Sequence, residues 1–296
     1  MSGGATGPDT GPDTGPDTDA DTGSAGHDPS RLVFVAGLHR SGTTPLARAI
    51  EQHPQVSGLT GTDAWEDEGQ HVQPVYPKAK LYGGPGRFAR DARSHLTEQS
   101  PLVTPENAAR LWQAWEPYWD TSRRFLLEKS PPNLVMGRFL QALFPGSAYV
   151  VVMRHPVVVA LGTRKWRKLL SRNWQNHTTI ESMVEHWLVA HRTMREDLAH
   201  LDRYVVLRYE DLVDDPAREL AKVQQLIGLG TPIPSGSIAG RSGAYEDEWE
   251  RMAAGNPFDR RTVRRVKERF GAEVESFGYR CDDLRYRSDD WQRSLS

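Results

Sequence analysis

Gly37-Leu38-His39-Arg40-Ser41-Gly42-Thr43-Thr44 gathers two glycines, three hydroxyl side chains and a guanidinium into eight residues. Glycine lets backbone approach a ligand closely, and successive N–H groups at a helix start grip an anionic oxygen. The Gly-x-x-x-x-Gly frame is that of a nucleoside-triphosphate loop, yet Thr43 stands where that loop carries lysine, and the cation sits at Arg40. Arg40, Ser41, Gly42, Thr43 and Thr44 therefore read as an anion cradle, the alternative being a strand–helix turn whose hydroxyls merely cap the helix. Arg154 closes the apolar run Tyr149–Met153, where an arginine is placed for a bidentate phosphate contact. Lys129 follows a second apolar run; it enters the same cleft as Arg40 or is a surface lysine before a proline turn. Glu66-Asp67-Glu68-Gly69-Gln70-His71 holds four ionisable groups, either a solvated acidic turn or a source of a general base at Glu68 or His71. A carboxylate of ordinary pKa about 4.3 is a weak base, so burial beside Trp65 or Val72 is expected to raise that of Glu68.

The elements that must hold these groups can be read from hydrophobic period. Leu32–Ala36 reads as a buried strand ending in Gly37, with a helix over Pro45–Gln52. Arg124–Leu127 is a second strand before the Ser130-Pro131-Pro132 break, Asn133–Leu143 has helical spacing, and Ala148–Met153 is the strongest strand. A helix after Pro156, an amphipathic helix around Glu181–Leu201, a strand at Tyr204–Leu207 and helices at Ala217–Ile227 and Arg260–Ser276 follow. Strands and helices that interleave so predict an α/β fold, a P-loop-like parallel sheet flanked by helices on both faces, with ligands beyond the carboxyl ends of the strands.

Phe34 to Thr44, followed by His53-Pro54, resembles the 5′-phosphosulfate loop of sulfotransferases, particularly the tyrosylprotein and related bacterial branches. Tyr149–Pro156 resembles the strand and arginine that bind the donor's 3′-phosphate there, and Glu128-Lys129-Ser130-Pro131 resembles the Glu-Lys-Ser/Thr-Pro of heparan sulfate sulfotransferases. In those enzymes the lysine lies near the transferring group. Glu68-Gly69-Gln70 resembles their Glu-x-Gln/His, whose glutamate takes the acceptor's proton, which favours Glu68 over His71. Arg208-Tyr209-Glu210-Asp211-Leu212 resembles a family strand end and reads as mainly structural; chain position alone suggests Arg241 and Tyr245 for a loop over the nucleotide. One departure concerns the donor site: where the family has a serine eight residues after the arginine, this chain has Gly162, with Thr163 or Lys165 as substitutes.

The resemblance implies the sulfotransferase fold and a PAPS-dependent sulfotransferase, PAPS being 3′-phosphoadenosine-5′-phosphosulfate. Such an enzyme moves a sulfuryl group to a hydroxyl or amine by in-line displacement without a metal, while Arg40 and Lys129 stabilise the leaving phosphate. Two rivals are a P-loop kinase or NTPase, which needs the loop lysine and a metal-binding aspartate, and a nucleotide-binding module without catalysis. Small-molecule, saccharide and peptide acceptors all stay open.

Composition narrows the classes. Residues 1–30 repeat Gly-Pro-Asp-Thr three times and hold six aspartates with no Lys or Arg, so against −2 for the whole chain the remainder carries +4. That segment is expected to be a disordered acidic tail ahead of one domain over 31–296. The mild basic excess suits an anionic ligand and is too small to argue for nucleic acid. No run of eighteen apolar residues and no basic-then-apolar leader are present, which predicts a soluble, cytoplasmic protein without a membrane partner. One cysteine, Cys281, excludes an internal disulfide, and the histidines lack metal-ligand spacing, so no bound metal is expected. Trp112, Trp115 and Trp119 read as helix packing more than as an acceptor wall, and the run Arg164–Lys168 either faces phosphates or is solvated.

Overall fold

A computed structural model of the chain describes residues 28–170, 178–238 and 243–295, together with Gly3. The expected tail lies outside the described residues apart from Gly3 and Asp28–Ser30, and Asp28 caps a 3₁₀ turn at Pro29–Arg31 by accepting from Ser30 N. His177 and Arg241 also lie outside them.

The core is a parallel sheet of β1 (Leu32–Ala36), β2 (Val56–Gly58), β3 (Phe125–Lys129), β4 (Ala148–Met153) and β5 (Tyr204–Arg208) in the order β2-β3-β1-β4-β5. β1, β3 and β4 are buried throughout because helices cover both faces, and the apolar runs split by parity. Phe34, Tyr149 and Val151 join the core on one face; Val33, Val35, Val150 and Val152 join the other. The helices are α1 (Thr43–Glu51), α2 (Pro105–Trp115), α3 (Gly137–Leu143), α4 (Pro156–Leu170), α5 (Ile180–Leu198), α6 (Tyr209–Asp214), α7 (Pro216–Ile227), α8 (Ala244–Ala254) and α9 (Pro257–Glu275).

Chain order turns around β1, which has β3 on one side and β4 on the other. Such a reversal opens a crevice at the carboxyl ends, and there Gly37, Lys129 and Arg154 emerge. The strand order follows from this, but two elements departed from the expected pattern. The stretch expected as one helix from Asn133 divides into a 3₁₀ turn, Pro131–Val135, and α3, separated by Met136, whose φ of −135° and ψ of 15° leave the helical region. β2 is only three residues long and pairs at the sheet edge, too short to leave a periodic signal. Among the described residues, no helix is long and apolar enough to cross a membrane.

Candidate active site

Sterics at three glycines shape the cradle. Gly37 has φ 152°, and a Cβ there would stand 2.5 Å from the Val152 carbonyl oxygen, so β4 can lie this close only beside glycine. Gly42 has φ 101°, and a Cβ would fall 2.2 Å from the Tyr209 ring. Between them, Ser41 N donates to the Leu38 carbonyl at 2.9 Å and Arg40 takes a left-handed φ of 70°. α1 then starts at Thr43 with no side-chain cap, leaving its leading N–H groups to an outside anion. Ser41 Oγ is buried without a hydrogen-bond partner, Thr43 is buried, and Thr44 Oγ1 donates to Glu66 Oε2 at 2.5 Å.

Arg154 leaves the end of β4 and lies across aromatic faces, its guanidinium carbon 4.3 Å from the Tyr209 ring centre and 5.9 Å from that of Tyr245. Its Nη1 donates to the Arg40 carbonyl at 3.2 Å, which ties the two cationic positions together. Among the described residues, no carboxylate forms an ion pair with Arg40 or Arg154. Gly162 lies against Arg40: a Cβ there would be 3.3 Å from Arg40 Cβ and 3.3 Å from the Tyr245 hydroxyl. The tyrosine hydroxyl thus occupies the neighbourhood in which a serine at 162 would put its own. Thr163 is not brought to this cluster. It is buried, with its methyl 3.4 Å from the place of a Gly86 Cβ, and Lys165 is exposed.

Lys129 ends β3 beside Val35 of β1. Nζ is buried without a hydrogen-bond partner and lies 3.6 Å from both Glu66 Oε2 and Glu68 Oε1. Glu68 accepts from Gln70 Nε2 at 2.6 Å on its other oxygen, which also faces His71 Nε2 at 3.5 Å. Only 4% of the Glu68 side chain is exposed, against 33% for His71, so the two base candidates differ in access to water.

The Glu68 carboxyl does not titrate where the sequence suggested. Burial pushes it up, but the His71 hydrogen bond, His39, Lys129 and the Gln70 hydrogen bond outweigh burial and hold it below the usual carboxylate range. Trp65 contributes little to that burial, being 60% exposed. Burial dominates at His39 instead, lowering its pKa, and its Nδ1 has no partner.

The segment carrying Glu68 is irregular, and side chains fix it. Asp63, Glu66 and Asp67 all have positive φ, an arrangement supported by Asp67 Oδ1, which accepts from Thr62 N at 2.9 Å and Thr62 Oγ1 at 2.7 Å. Gln70 N donates to Ser130 Oγ at 2.9 Å, Ala79 N donates to Gln70 Oε1 at 3.1 Å, and Trp115 Nε1 donates to the Gly69 carbonyl at 3.2 Å.

A cavity of about 780 Å³ runs from Arg154 and Gly42 past Glu66, Glu68 and His71 to Lys80 and Pro85; Lys129 is not among its lining residues and reaches it through Glu66 and Glu68. Trp65 and Trp166 form one wall, with ring centres 6.2 Å apart. Tyr209 and Trp166 were not anticipated as site residues. The sequence signal for Tyr209 lay inside Arg208–Leu212, whose other members are indeed structural: Arg208 pairs with Asp211 at 2.8 Å and Glu210 accepts from His155 N at 3.0 Å. Of the basic run, Arg164 pairs with Glu248 at 2.8 Å. Trp112, Trp115 and Trp119 are buried against one another, as packing required. Buried His186 and His191 are each pushed down to about 3 by desolvation and stay neutral in the core. Among the described residues, no group of three or more His, Cys, Asp or Glu side chains could hold a metal ion.

An uncapped helix start at the reversal point of a parallel sheet, flanked by arginines free of carboxylates, makes a place for an anion in a P-loop-like α/β fold. The chain belongs to the sulfotransferase family, whose model matches residues 32–232. It is 29% identical over 115 residues to omega-hydroxy-beta-dihydromenaquinone-9 sulfotransferase Stf3 of Mycobacterium bovis, and equally to that of Mycobacterium tuberculosis. Each match covers 36% of this chain and spans 30% of the relative. The fold is similar to that of sulfotransferase STF9 from Mycobacterium avium, with TM-score 0.50 and 16% identity over 83% of this chain and 76% of that one.

Proposed function

We propose that the protein transfers a sulfuryl group from PAPS to a hydroxyl of a small-molecule acceptor. The observation that carries this reading is Lys129: a buried ammonium without a hydrogen-bond acceptor, beside an uncapped helix start and 3.6 Å from a buried carboxylate. Glu66 and Glu68 already balance its charge from 3.6 Å, but none of its three N–H donors is taken up, so it keeps its hydrogen-bonding capacity for a further anionic oxygen. The 5′-phosphosulfate takes the cradle from Arg40 to Thr44, and the 3′-phosphate takes Arg154, with the Tyr245 hydroxyl above Gly162. Glu68 accepts the acceptor's proton as its oxygen attacks sulfur; the sulfur–oxygen bond to the phosphate breaks in line, and Lys129 and Arg40 stabilise the charge left on that phosphate. His71 steadies the Glu68 carboxylate through their contact at 3.5 Å.

No metal is required, because the migrating group carries less charge than a phosphoryl group and two side-chain cations balance it. Activity should survive EDTA, and restoration by magnesium after EDTA would count against the reading. A kinase reading finds no support at Thr43, which is buried with its methyl 3.0 Å from the place of a Gly37 Cβ, and leaves the loop without its lysine. For the acceptor, the Trp65–Trp166 wall beside Pro45, Ala79 and Pro85 suits a hydroxyl carried on an apolar or aromatic body, with Arg48 and Lys80 also on the lining. The relative named for a hydroxylated menaquinone is consistent with that class. Calorimetry tests the donor: adenosine 3′,5′-bisphosphate should bind better than ATP, and Arg154→Ala should lose about 1.5–3 kcal/mol of that binding. Equal affinity for ATP, or no loss in the variant, would overturn the two-site reading.

A further inference from the structure

One buried carboxylate next to the site takes no part in this mechanism. Glu128 precedes Lys129 on β3, is fully buried and does not line the cavity. Its carboxylate accepts from Ser130 Oγ at 2.5 Å and from Asn133 Nδ2 at 2.6 Å. Ser130 Oγ in turn accepts from Gln70 N at 2.9 Å, and Gln70 Nε2 donates to Glu68 Oε2 at 2.6 Å. The irregular segment passes so close at Gly69 that a Cβ there would fall 2.6 Å from Glu128 Oε1. Asn133 is itself held by Tyr149, whose hydroxyl donates to its carbonyl.

We propose that Glu128 is the positioning residue for Glu68, holding it through Ser130 and Gln70 in the orientation that faces Lys129 and the donor. This rests on the reading of Glu68 as the base. Ionised, Glu128 offers an acceptor at each oxygen, and both neighbours are donors. Protonated, one oxygen becomes a donor: toward Asn133 Nδ2 it meets another donor, and toward Ser130 it leaves the serine hydrogen without its acceptor. Either change loosens the hydroxyl that receives Gln70 N–H, in a buried network where each unmet group is costly.

The change falls within the neutral range. Burial pushes the Glu128 carboxyl up, the hydrogen bonds from Ser130 and Asn133 and the charge of Lys129 pull it back, and Glu68 adds to the rise, leaving it at about 7. Besides Lys129 and Glu68, the buried Tyr76 hydroxyl also faces this charge; burial first, and Glu128 second, push its pKa up, so it stays neutral. Lowering the pH through this point should therefore lower kcat without loosening the donor.

The test compares Glu128→Gln, Glu128→Asp and Ser130→Ala with the unaltered protein, measuring kcat against pH and the affinity for adenosine 3′,5′-bisphosphate. Glutamine has one acceptor and one donor group, so it imitates the protonated state at every pH. Glu128→Gln should lower kcat about tenfold, keep nucleotide affinity, and lose the component of the pH profile near 7; Glu128→Asp should retain that component. Unchanged kcat, or the same component persisting in the glutamine variant, overturns the proposal. Should Glu128→Gln not fold, Ser130→Ala carries the test: it must lower kcat comparably with nucleotide affinity kept, and an unchanged kcat there is equally fatal. Glu68→Gln is assayed alongside. If it turns over normally, the base assignment fails; if it is inactive while Glu128→Gln and Ser130→Ala are normal, only the positioning role fails.

Discussion

Between Gly37 and Thr44 the backbone forms the binding surface, whereas between Asp63 and His71 side chains hold a backbone that would not keep its shape alone. The first region grows directly from β1 into α1, and its two glycines meet β4 and the Tyr209 ring so closely that no other residue fits. The second contains three non-glycine residues at positive φ and is held by Asp67, Ser130 and Trp115. The two regions meet where Thr44 Oγ1 donates to Glu66 Oε2 at 2.5 Å, and Lys129 lies 3.6 Å from both Glu66 and Glu68. The contrast teaches that under the proposed function donor binding would follow from the sheet topology, and proton removal from a hydrogen-bonded network separate from it.

The largest separation between the regions is expected from Glu68→Gln, which keeps size and removes basicity; kcat should fall by roughly 10²–10⁴-fold with nucleotide affinity little changed. Normal turnover there together with an inactive His71→Ala would move the base to His71. On the cradle side, Gly42→Ala forces a left-handed φ and a clash with Tyr209, so thermal unfolding should report a loss of about 1–3 kcal/mol, accompanied by weaker nucleotide binding. Equal stability would mean that Tyr209 yields freely and that the cradle is not set by close packing.

The two buried glutamates give a further contrast in stability against pH. Glu128 binds its proton more tightly folded than unfolded, so its contribution is full below the unfolded carboxylate value and is lost as pH rises through about 7. Glu68 has a lowered folded value, so its contribution is present above the unfolded value and is lost as pH falls through the folded one. Melting temperature measured from pH 4 to 8 should therefore flatten on its upper part in Glu128→Gln and change only on its acid side in Glu68→Gln. Identical profiles in the two variants would remove the distinction. Smallest of all, Trp65→Ala should raise KM for an apolar hydroxyl acceptor by about threefold, leaving nucleotide affinity alone; this corresponds to about 0.6 kcal/mol from one half-exposed ring.

What was legible in the sequence divides along the same line. The cradle, its strand and Arg154 could be found because buried parallel strands are continuous apolar runs and a glycine-rich turn interrupts them at a fixed place. Glu68 and His71 were both open as bases from the residues, and only resemblance favoured Glu68, because a run of 3₁₀ turns has no hydrophobic period. The rise expected for the Glu68 carboxyl failed because burial is opposed first by its neighbour His71 and then by His39 and Lys129, which folding brings there. Gly162 is instructive in the other direction. Its neighbours in sequence suggested Thr163 or Lys165, but a helix turns those side chains away, and the hydroxyl arrives from Tyr245 on α8.

The central claim is that this site moves a sulfuryl group. PAPS carrying radiolabelled sulfur, incubated with the protein, EDTA and a panel of apolar and aromatic alcohols, should pass its label to an alcohol and release an equal amount of adenosine 3′,5′-bisphosphate, with Glu68→Gln greatly slowed. Nucleotide binding without any label transfer across the panel, or transfer that appears only with ATP and magnesium, would contradict it.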